Sequence, residues 1–490
     1  MEQSSDRPFE VDVHSLNIDR YEGLASPSLL AELRSEATTA ARALTGRTIW
    51  HVNSTAEGGG VAEMLPSLLG YCRNFDIDSR WLVIGGNPAF FQVTKRLHHG
   101  LHGEPGDGTP LDSAARRIYE ETLAENAAEI LALVRPGDIV MLHDPQTIGL
   151  ARYLKQHGAA VIWRCHIGHS ESNGEYDRAW QFLQPYLACA SRYVFTREAY
   201  IPRILDRASV AIVPPTIDAF TPKNQAMSDD TVRTILVHTG ILRGPLPDRR
   251  SYEFFRSDGS RERVDRHVDL IRCGQPSSPE VPLVVQVSRW DPLKDPCGVI
   301  QGFVRWLAHG GDSHAELVMA GPSVTGVADD PESVDVFNEV FRVWRELPHV
   351  QRSRVHLAML PMVDVEENAA MVNALQRHAA VIVQKSLHEG FGLTVTEAMW
   401  KGRAVLASRV GGIQDQIEHG VSGLLLDDPQ DLDGFGELLE SVIADPAYRG
   451  ELGRAARERV SEQFLEVRGV MATLRLAEDA LETGFQGISS

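Results

Sequence analysis

Two carboxylates lie eight positions apart around a glycine turn, in the run Glu389-Gly-Phe-Gly-Leu-Thr-Val-Thr-Glu397. An apolar stretch at 380–384 precedes the turn and predicts a strand, and residues 393–401 have a helical composition that ends at Gly402. The free N–H groups and the positive dipole end of such a helix start suit a phosphate, and glycines let the backbone approach it closely. We therefore predict a diphosphate-binding turn formed by Gly390, Phe391, Gly392, Leu393 and Thr394.

The spacing of the two carboxylates suggests what each would hold. Eight helical residues rise about 12 Å, which is comparable with the span from a sugar ring to a ribose across a diphosphate. On this interpretation Glu389 holds hydroxyls of the sugar and Glu397 holds those of the ribose. An ordinary strand-to-helix turn with two solvated glutamates fits the same spacing, so the spacing alone leaves both interpretations open.

Two cations occupy a second loop of the same kind. Arg289 and Lys294 are five positions apart and follow the apolar stretch 283–288. Loops at the carboxyl ends of strands are where open α/β sheets bind ligands, and a guanidinium with an ammonium suits a leaving diphosphate without a metal ion. The commoner alternative for such residues is a surface position with a salt bridge to Asp291 or Asp295.

The first half of the chain contains a further glycine loop. Gly58, Gly59 and Gly60 lie between the first predicted strand and an apolar-periodic stretch at 61–69. A glycine loop that opens a helix is suited to a phosphate or a sugar. A plain flexible turn is the alternative.

Polar residues also follow two later strands of the first half. His143, Asp144 and Gln146 form a short loop whose hydrogen-bonding groups match the hydroxyls of a free sugar, although a proline at the first helical position makes a simple strand-to-helix turn sufficient. His166 ends the next predicted strand, where a lone histidine is more often structural. No metal-ligand cluster is evident, so we expect no metal ion.

Short apolar strands alternate with helical stretches, which is the α/β pattern of parallel sheets with crossover helices. Two sets of strands are predicted, at 48–53, 80–85, 138–143, 161–166, 193–196 and 210–213, and at 283–288, 316–320, 355–359, 380–384, 404–407 and 423–426. A cleft between two such sheets is the natural ligand site. The polar segment 227–280 between the sets is either a helix with an ordered excursion or a mobile loop, and the residues from Glu451 onward have helical composition.

Composition bounds the class of protein. The 490 residues predict two or three domains, and 43% hydrophobic with 23% charged residues is typical of a soluble globular enzyme. The net charge of −19 argues against a nucleic-acid partner. Five cysteines without C-x-x-C spacing predict no disulfide framework, and neither a signal peptide nor a membrane segment is evident. We expect a cytoplasmic protein with no membrane partner, and the sequence leaves open whether it forms a homodimer.

The chain resembles the retaining glycosyltransferases of family four over most of residues 47–460. The resemblance to their donor half is carried by the order and spacing of Arg289, Lys294, Glu389 and Glu397. More specifically, the chain resembles the trehalose glycosyltransferring synthases, which join a nucleotide-activated glucose to free glucose. That resemblance is carried by the runs His51-Val-Asn-Ser-Thr-Ala-Glu-Gly-Gly-Gly60, His143-Asp-Pro-Gln146, Trp163-Arg-Cys-His166 and Gln384-Lys-Ser. Fungal trehalose phosphorylases are similar over the same core.

The resemblance implies the GT-B fold, in which two Rossmann-like parallel-sheet domains face a deep interdomain cleft. It implies an N-terminal extension at 1–46, an acceptor domain at 47–222, a donor domain at 223–455 with an excursion at 227–280, and C-terminal helices at 456–490 that cross back to the first domain.

The resemblance also implies a retaining transfer that needs no cofactor beyond a nucleoside-diphosphate glucose as co-substrate and a small sugar acceptor. Arg289 and Lys294 would neutralise the leaving diphosphate, and His166 would lie beside the reacting carbon and the donor 6-hydroxyl. Two other functions compete with this one: a trehalose phosphorylase that uses inorganic phosphate, and a non-catalytic module that binds nucleotide sugars.

Overall fold

The computed structural model describes residues 7–57, 59–245, 252–311, 314–324 and 331–484. The chain divides into two compact units, one made of Met1–Thr216 with Phe464–Ser490 and the other of Ile217–Gln463. Each unit has its own seven-stranded sheet. In the described part of the chain, no helix is long and apolar enough to cross a membrane.

The sheet of the first unit has the strand order β1-β3-β2-β4-β5-β6-β7. Its strands are β1 (Phe9–Val11), β2 (Ile49–Asn53), β3 (Ser79–Val83), β4 (Ile139–His143), β5 (Ala160–Cys165), β6 (Arg192–Phe195) and β7 (Val210–Ile212). The six predicted strands are present and parallel, but β1 adds an antiparallel edge that we did not predict. Only three residues long and mostly exposed, β1 carries too little hydrophobic pattern to be recognised.

The helices of this unit cover the sheet and bury its apolar strands. They are α1 (Pro27–Ala43), α2 (Gly60–Arg73), α3 (Pro88–Leu101), α4 (Ser113–Ile130), α5 (Asp144–Thr147), α6 (Ala151–His157) and α7 (Gly174–Leu187). The central strands β2, β4 and β5 are buried along their whole length, with Trp50 and Trp163 among the largest side chains in the core. Parallel strands covered on both faces read as continuous apolar runs, which is why they were predictable.

The sheet of the second unit has the order β10-β13-β12-β11-β14-β15-β16, and β8 with β9 forms a separate hairpin. The strands are β8 (Glu253–Phe255), β9 (Arg261–Arg263), β10 (Asp269–Ile271), β11 (Leu283–Val287), β12 (Glu316–Pro322), β13 (Val355–Leu360), β14 (Val381–Gln384), β15 (Ala404–Ser408) and β16 (Leu424–Leu426). The six predicted strands are again parallel, and an unpredicted strand, β10, pairs antiparallel with β13.

The helices of the second unit alternate with these strands. They are α8 (Asp229–His238), α9 (Pro296–Ala308), α10 (Pro331–Glu346), α11 (His349–Arg352), α12 (Val365–His378), α13 (Leu393–Trp400), α14 (Ile413–Gln416), α15 (Leu432–Ile443) and α16 (Pro446–Gln463). Helix α8, the β8–β9 hairpin and β10 are formed by the described residues of the segment 227–280, in which residues 246–251 lie outside the description.

A last helix, α17 (Glu466–Gly484), belongs to the first unit. Its Arg475 donates to Glu32 (3.0 Å) and Glu36 (2.9 Å) on α1, and its Asp479 accepts from Arg192 at the start of β6 (3.0 Å). Helix α16 stays with the second unit, so the chain passes from one compact unit to the other between Gln463 and Phe464.

Candidate active site

In the second unit, the loops after β11 and β14 meet because the two strands are neighbours in the sheet. The chain order of the strands reverses between them, with β12 and β13 on one side and β15 and β16 on the other. Open α/β sheets bind ligands beyond the carboxyl ends of the strands at such a reversal. The Leu387 N–H donates to the Leu293 carbonyl at 2.8 Å and joins the two loops.

These joined loops bring one predicted cation against the first predicted carboxylate. Lys294 Nζ lies 2.6 Å from Glu389 Oε2, and Ser386 Oγ donates to the same oxygen at 3.1 Å. The two charged side chains are 17% and 12% exposed. An ion pair that is partly withdrawn from water keeps more of its Coulomb energy than a surface pair does. Lys294 and Glu389 therefore form a compact charged centre at the reversal point.

Arg289 takes the surface position that the sequence left open as an alternative. Its side chain is 70% exposed and lies 3.1 Å from Asp291. Lys294 does not follow this pattern, because it pairs with Glu389 rather than with Asp295. The structure thus brings Lys294 and Glu389 together but holds Arg289 in a local pair on its own loop.

Sequence reasoning quoted Lys385 within the run Gln384-Lys-Ser but assigned it no role, whereas the structure shows that it supports the charged centre. Its side chain is 1% exposed and forms an ion pair with Asp295. Asp295 also caps α9 by accepting from the Gly298 N–H (3.0 Å), in a left-handed conformation with φ of 48°. Because Asp295 follows Lys294 directly, the buried pair fixes the backbone that carries Lys294. The available signal was a lysine immediately after an apolar strand.

Two buried glutamines perform a similar task. Gln286 in β11 donates to the Lys294 carbonyl (3.0 Å), and Gln384 at the end of β14 donates to Ser386 Oγ (3.0 Å). Both are at most 2% exposed. A glutamine inside a run of valine, isoleucine and leucine is buried and needs hydrogen-bond partners there, so it indicates a polar site at the end of the strand. This pattern was visible in the sequence.

The glycine turn opens α13 as predicted. Gly392 has φ of 88°, which favours glycine, and a Cβ there would lie 3.0 Å from Ile413 and 3.2 Å from Glu389. No side chain caps the helix start, so the first N–H groups, at Leu393 and Thr394, are positioned to face an anion. Phe391 is 7% exposed and packs beneath the turn. The Gly390 carbonyl accepts from Gly412 at 3.0 Å.

The distance argument for the two carboxylates was wrong. Helix α13 begins at Leu393, so the first half of the spacing from Glu389 to Glu397 is turn rather than helix, and the rise of eight helical residues does not apply. The turn forms because two glycines in three positions cost helix stability there. The alternative of two solvated glutamates is also wrong, because both side chains are largely buried.

Glu397 lies in a second charged cluster of the same unit. Its side chain is 8% exposed and its Oε1 is 3.6 Å from Lys223 Nζ. Lys401 donates to the Glu397 carbonyl and to Asn224 Oδ1, each at 3.1 Å, and burial lowers the pKa of Lys401 to about 7. Glu397 is therefore held in place by packing and by its ion pair with Lys223.

In the first unit, the strand order also reverses, between β2 and β4. Three histidines form a row at this place: His51 in β2, His143 at the end of β4 and His166 after β5. His51 Nδ1 lies 3.0 Å from His143 Nε2, and His143 Nδ1 lies 3.1 Å from His166 Nε2. Among the described residues, no group of three or more His, Cys, Asp or Glu side chains is arranged to hold a metal ion.

All three histidines are neutral at physiological pH. Burial lowers the pKa of His51 to about 3 and the pKa values of His143 and His166 to well below the ordinary value, and the nearby guanidinium of Arg164 acts in the same direction. Arg164 itself is 3% exposed, and burial lowers its pKa to about 10, so it stays charged at neutral pH. Neither His51 nor Arg164 was among the predicted site residues.

The other two predicted acceptor residues, Asp144 and Gln146, follow closely after His143 in the chain. Asp144 has φ of 61°, its Oδ1 accepts from the His166 N–H at 2.8 Å, and burial raises its pKa to about 7. Backbone strain of this kind in a non-glycine residue is typical of functional sites. The Oε1 of Gln146 is buried without a hydrogen-bond partner among the described residues, so it can accept from a ligand.

The glycine loop of this unit precedes α2, which begins at Gly60. Gly59 has φ of 101°, although a Cβ there would meet nothing within 4 Å, so conformation rather than space requires glycine. Gly58 lies outside the described residues.

Comparisons with known proteins match both units. The family described as "Trehalose synthase, N-terminal domain" matches residues 51–202, and the family described as "Glycosyl transferases group 1" matches residues 351–459. A trehalose synthase of Rubrobacter xylanophilus is 33% identical over 447 residues, which cover 91% of this chain and 93% of that protein. A trehalose phosphorylase of Pleurotus pulmonarius is 25% identical over 87% of this chain and 56% of its own length.

Solved structures show the same architecture. An α,α-trehalose-phosphate synthase (UDP-forming) of Burkholderia vietnamiensis matches with a TM-score of 0.61 at 18% identity, covering 88% of this chain and 98% of that chain. A likeness at this identity shows the fold alone. The predicted GT-B class, with two Rossmann-like units, is confirmed.

Proposed function

The chain belongs to the trehalose synthase family of group 1 glycosyltransferases, and from that premise we propose that it moves glucose from a nucleoside-diphosphate glucose to free glucose and forms trehalose. The family predicted from the motifs is confirmed, and the chain is a glycosyltransferase. The choice of donor and acceptor and the retention of anomeric configuration are the content of the proposal.

The observation that carries the proposal is the Lys294–Glu389 pair beside the start of α13. A sugar diphosphate needs positive charge at its phosphates and acceptor oxygens at its sugar hydroxyls, and this pair offers one of each next to uncapped N–H groups. Arg289 has an exposed guanidinium that can swing from Asp291 to a phosphate. Buried Glu397 suits the ribose, which an inorganic phosphate substrate would lack.

The acceptor is assigned to the first unit. His143, Asp144 and Gln146 offer neutral imidazole, carboxylate and amide groups, which hydrogen-bond to sugar hydroxyls. These groups match the hydroxyls of a free sugar, which is why we propose free glucose as the acceptor.

In the proposed reaction, the bond from the anomeric carbon to the diphosphate oxygen breaks, and the acceptor hydroxyl oxygen bonds to the same face of that carbon. The acceptor proton passes to the departing phosphate oxygen, so no protein base is consumed. Lys294 and Arg289 offset the charge that develops on the leaving group, and the N–H groups of Leu393 and Thr394 add to them. Glu389 holds the donor sugar, and the family resemblance assigns His166 to the reacting carbon and the 6-hydroxyl of that sugar.

The test is to incubate the protein with UDP-, ADP- and GDP-glucose and a panel of free sugars, and to identify products by mass and anomeric proton couplings. We expect α,α-trehalose from at least one donor with glucose as acceptor. Cleavage of trehalose by inorganic phosphate, without any nucleotide, would establish the phosphorylase instead. A β-linked product would overturn retention.

A further inference from the structure

The row of three histidines has a closed end at His51, which is buried, and an open end at His166, which is partly exposed. His51 and His143 are at most 1% exposed, whereas His166 is partly exposed. At the closed end, His51 Nε2 is buried without a hydrogen-bond partner in the described part of the chain. We propose that His51 and His143 are positioning residues that hold His166 in the tautomer with its proton on Nδ1, so that this N–H donates to a sugar hydroxyl. That the group accepting this hydrogen bond belongs to a sugar rests on the proposed function.

Only two proton arrangements satisfy both hydrogen bonds of the row. Each neutral imidazole has one N–H and one bare nitrogen, so a donor at one contact forces the direction of the next. In the first arrangement all three protons are on Nδ1, and His166 presents an N–H at the open end. In the second all three are on Nε2, and His166 presents a bare nitrogen.

The closed end favours the first arrangement. With the proton on Nδ1, His51 leaves only a lone pair unpartnered, whereas with the proton on Nε2 it buries an unpaired N–H, and orphaned buried N–H groups are rarer than under-used acceptors. With the proton of His51 on Nδ1, the two hydrogen bonds of the row place the protons of His143 and His166 on Nδ1 as well.

The row does not serve to carry protons away from the substrate. A relay needs a donor or acceptor beyond its last member, and His51 Nε2 has none among the described residues. The row therefore fixes a tautomer at its open end. Free histidine in water prefers the proton on Nε2, so without the row His166 would present a bare nitrogen for part of the time.

The first test does not depend on activity. In protein labelled with ¹⁵N-histidine, nitrogen NMR reports which ring nitrogen carries the proton, and signals are assigned by their loss in His51→Asn, His143→Asn and His166→Asn. We expect all three histidines to carry the proton on Nδ1 in the protein without substrate. A proton on Nε2 of His166 overturns the inference, whether or not the protein transfers glucose.

The second test uses a matched pair at His51. The amide of His51→Asn can still donate to His143 Nε2, whereas His51→Leu fills similar space without a donor. If the role is tautomer control, Leu lowers kcat about tenfold and Asn stays within about threefold, with KM for the donor little changed. If His51 only packs, Leu equals or exceeds Asn, and the inference fails. His157→Leu is the control, since the ring of His157, in the same unit, forms a hydrogen bond with the Val134 carbonyl (3.0 Å) and lies outside the row.

Discussion

The two sheets reverse their strand order in the same way, but the side chains at the two reversal points differ in charge. In the first unit, His51, His143 and His166 form a neutral hydrogen-bonded row. In the second, Lys294 with Glu389 forms an ion pair at the corresponding place. Equivalent topology therefore does not dictate the chemistry of the edge, and under the proposed function the two edges take different ligands: a free sugar at one and a diphosphate at the other.

Depth in the sheet explains the difference. His51 and His143 lie in strands, where burial removes water and makes the neutral form the stable one. Lys294 and Glu389 lie on loops beyond the strands, keep 17% and 12% exposure and pair with each other. Variants that change burial or charge at one edge should therefore have effects that the other edge does not show.

The largest expected effect concerns the ion pair of Lys385 with Asp295, which supports Lys294 at the charged edge, the reversal point of the second sheet. Lys385→Met should destabilise the second unit by about 3 kcal/mol, because it leaves the Asp295 carboxylate largely withdrawn from water without its cation. Denaturant unfolding at constant m-value would measure it. Arg305→Met is the matched control, since it breaks an ion pair with Asp433 in which both partners are about half exposed, and should cost under about 1 kcal/mol. Equal losses would show that Lys385 is not a buried anchor.

The next effect concerns catalysis at the same edge. Arg289→Ala and Lys294→Ala should each lower kcat/KM by roughly a hundredfold or more, because each removes positive charge from the leaving diphosphate. Both variants should still fold, but Lys294→Ala should also lose stability, because it leaves the largely buried Glu389 carboxylate without its cation. Steady-state kinetics with the nucleotide donor measures this, and Arg305→Ala serves as the control for loss of a cation elsewhere in the unit. A kcat/KM close to that of the wild type in both variants would contradict the assignment of the donor site.

A smaller effect should distinguish the two carboxylates, Glu389 and Glu397, by which kinetic constant each variant changes. Glu397→Gln should raise the donor KM with little change in kcat, because a ribose contact is equal in the ground and transition states. Glu389→Gln should lower kcat about thirtyfold, since its sugar changes shape and charge during transfer. Saturation kinetics of both variants decides the matter. A Glu397 variant that loses kcat as severely, at unchanged donor KM, would mean that the roles are divided wrongly.

At the neutral edge, Asp144 should make stability depend on pH. Burial raises its pKa to about 7, so the folded state binds the proton more tightly than the unfolded chain, and ionisation lowers stability progressively from about pH 4 to pH 7. Asp144→Asn should therefore gain about 1 kcal/mol over the wild type at pH 8 and nothing at pH 4, the partial exposure of the side chain limiting the gain. Thermal unfolding at both pH values measures it.

The control for this prediction has the opposite sign. Asp112 caps α4 at the surface, and the N–H of Ala115 holds the pKa of its carboxyl below the ordinary value. Asp112→Asn should therefore not gain stability at pH 8. A gain of similar size in both variants would trace the effect to general charge reduction rather than to the burial of Asp144.

Much of the fold was predictable because its strands are continuous apolar runs that end in polar loops. The twelve parallel strands and α13 follow from that pattern, whereas the antiparallel strands β1 and β10 escape it because each has three residues with little burial. At the site, Lys294 and Glu389 could be named from sequence, but their pairing depends on β11 and β14 being neighbours. His51 could not be assigned a role, since its partner His143 is 92 positions away and only the strand order joins them.

The smallest expected effect is no effect: excess EDTA should leave kcat/KM within about twofold. Arg289, Lys294 and the N–H groups at the start of α13 supply positive charge where a divalent cation would otherwise bridge the phosphates. The assay compares untreated protein, protein in EDTA, and protein in EDTA with magnesium added back. Loss of activity in EDTA with recovery in magnesium would contradict the prediction. It would mean that the charged edge is insufficient by itself, and that Glu389 neutralises enough of Lys294 to make a second cation necessary.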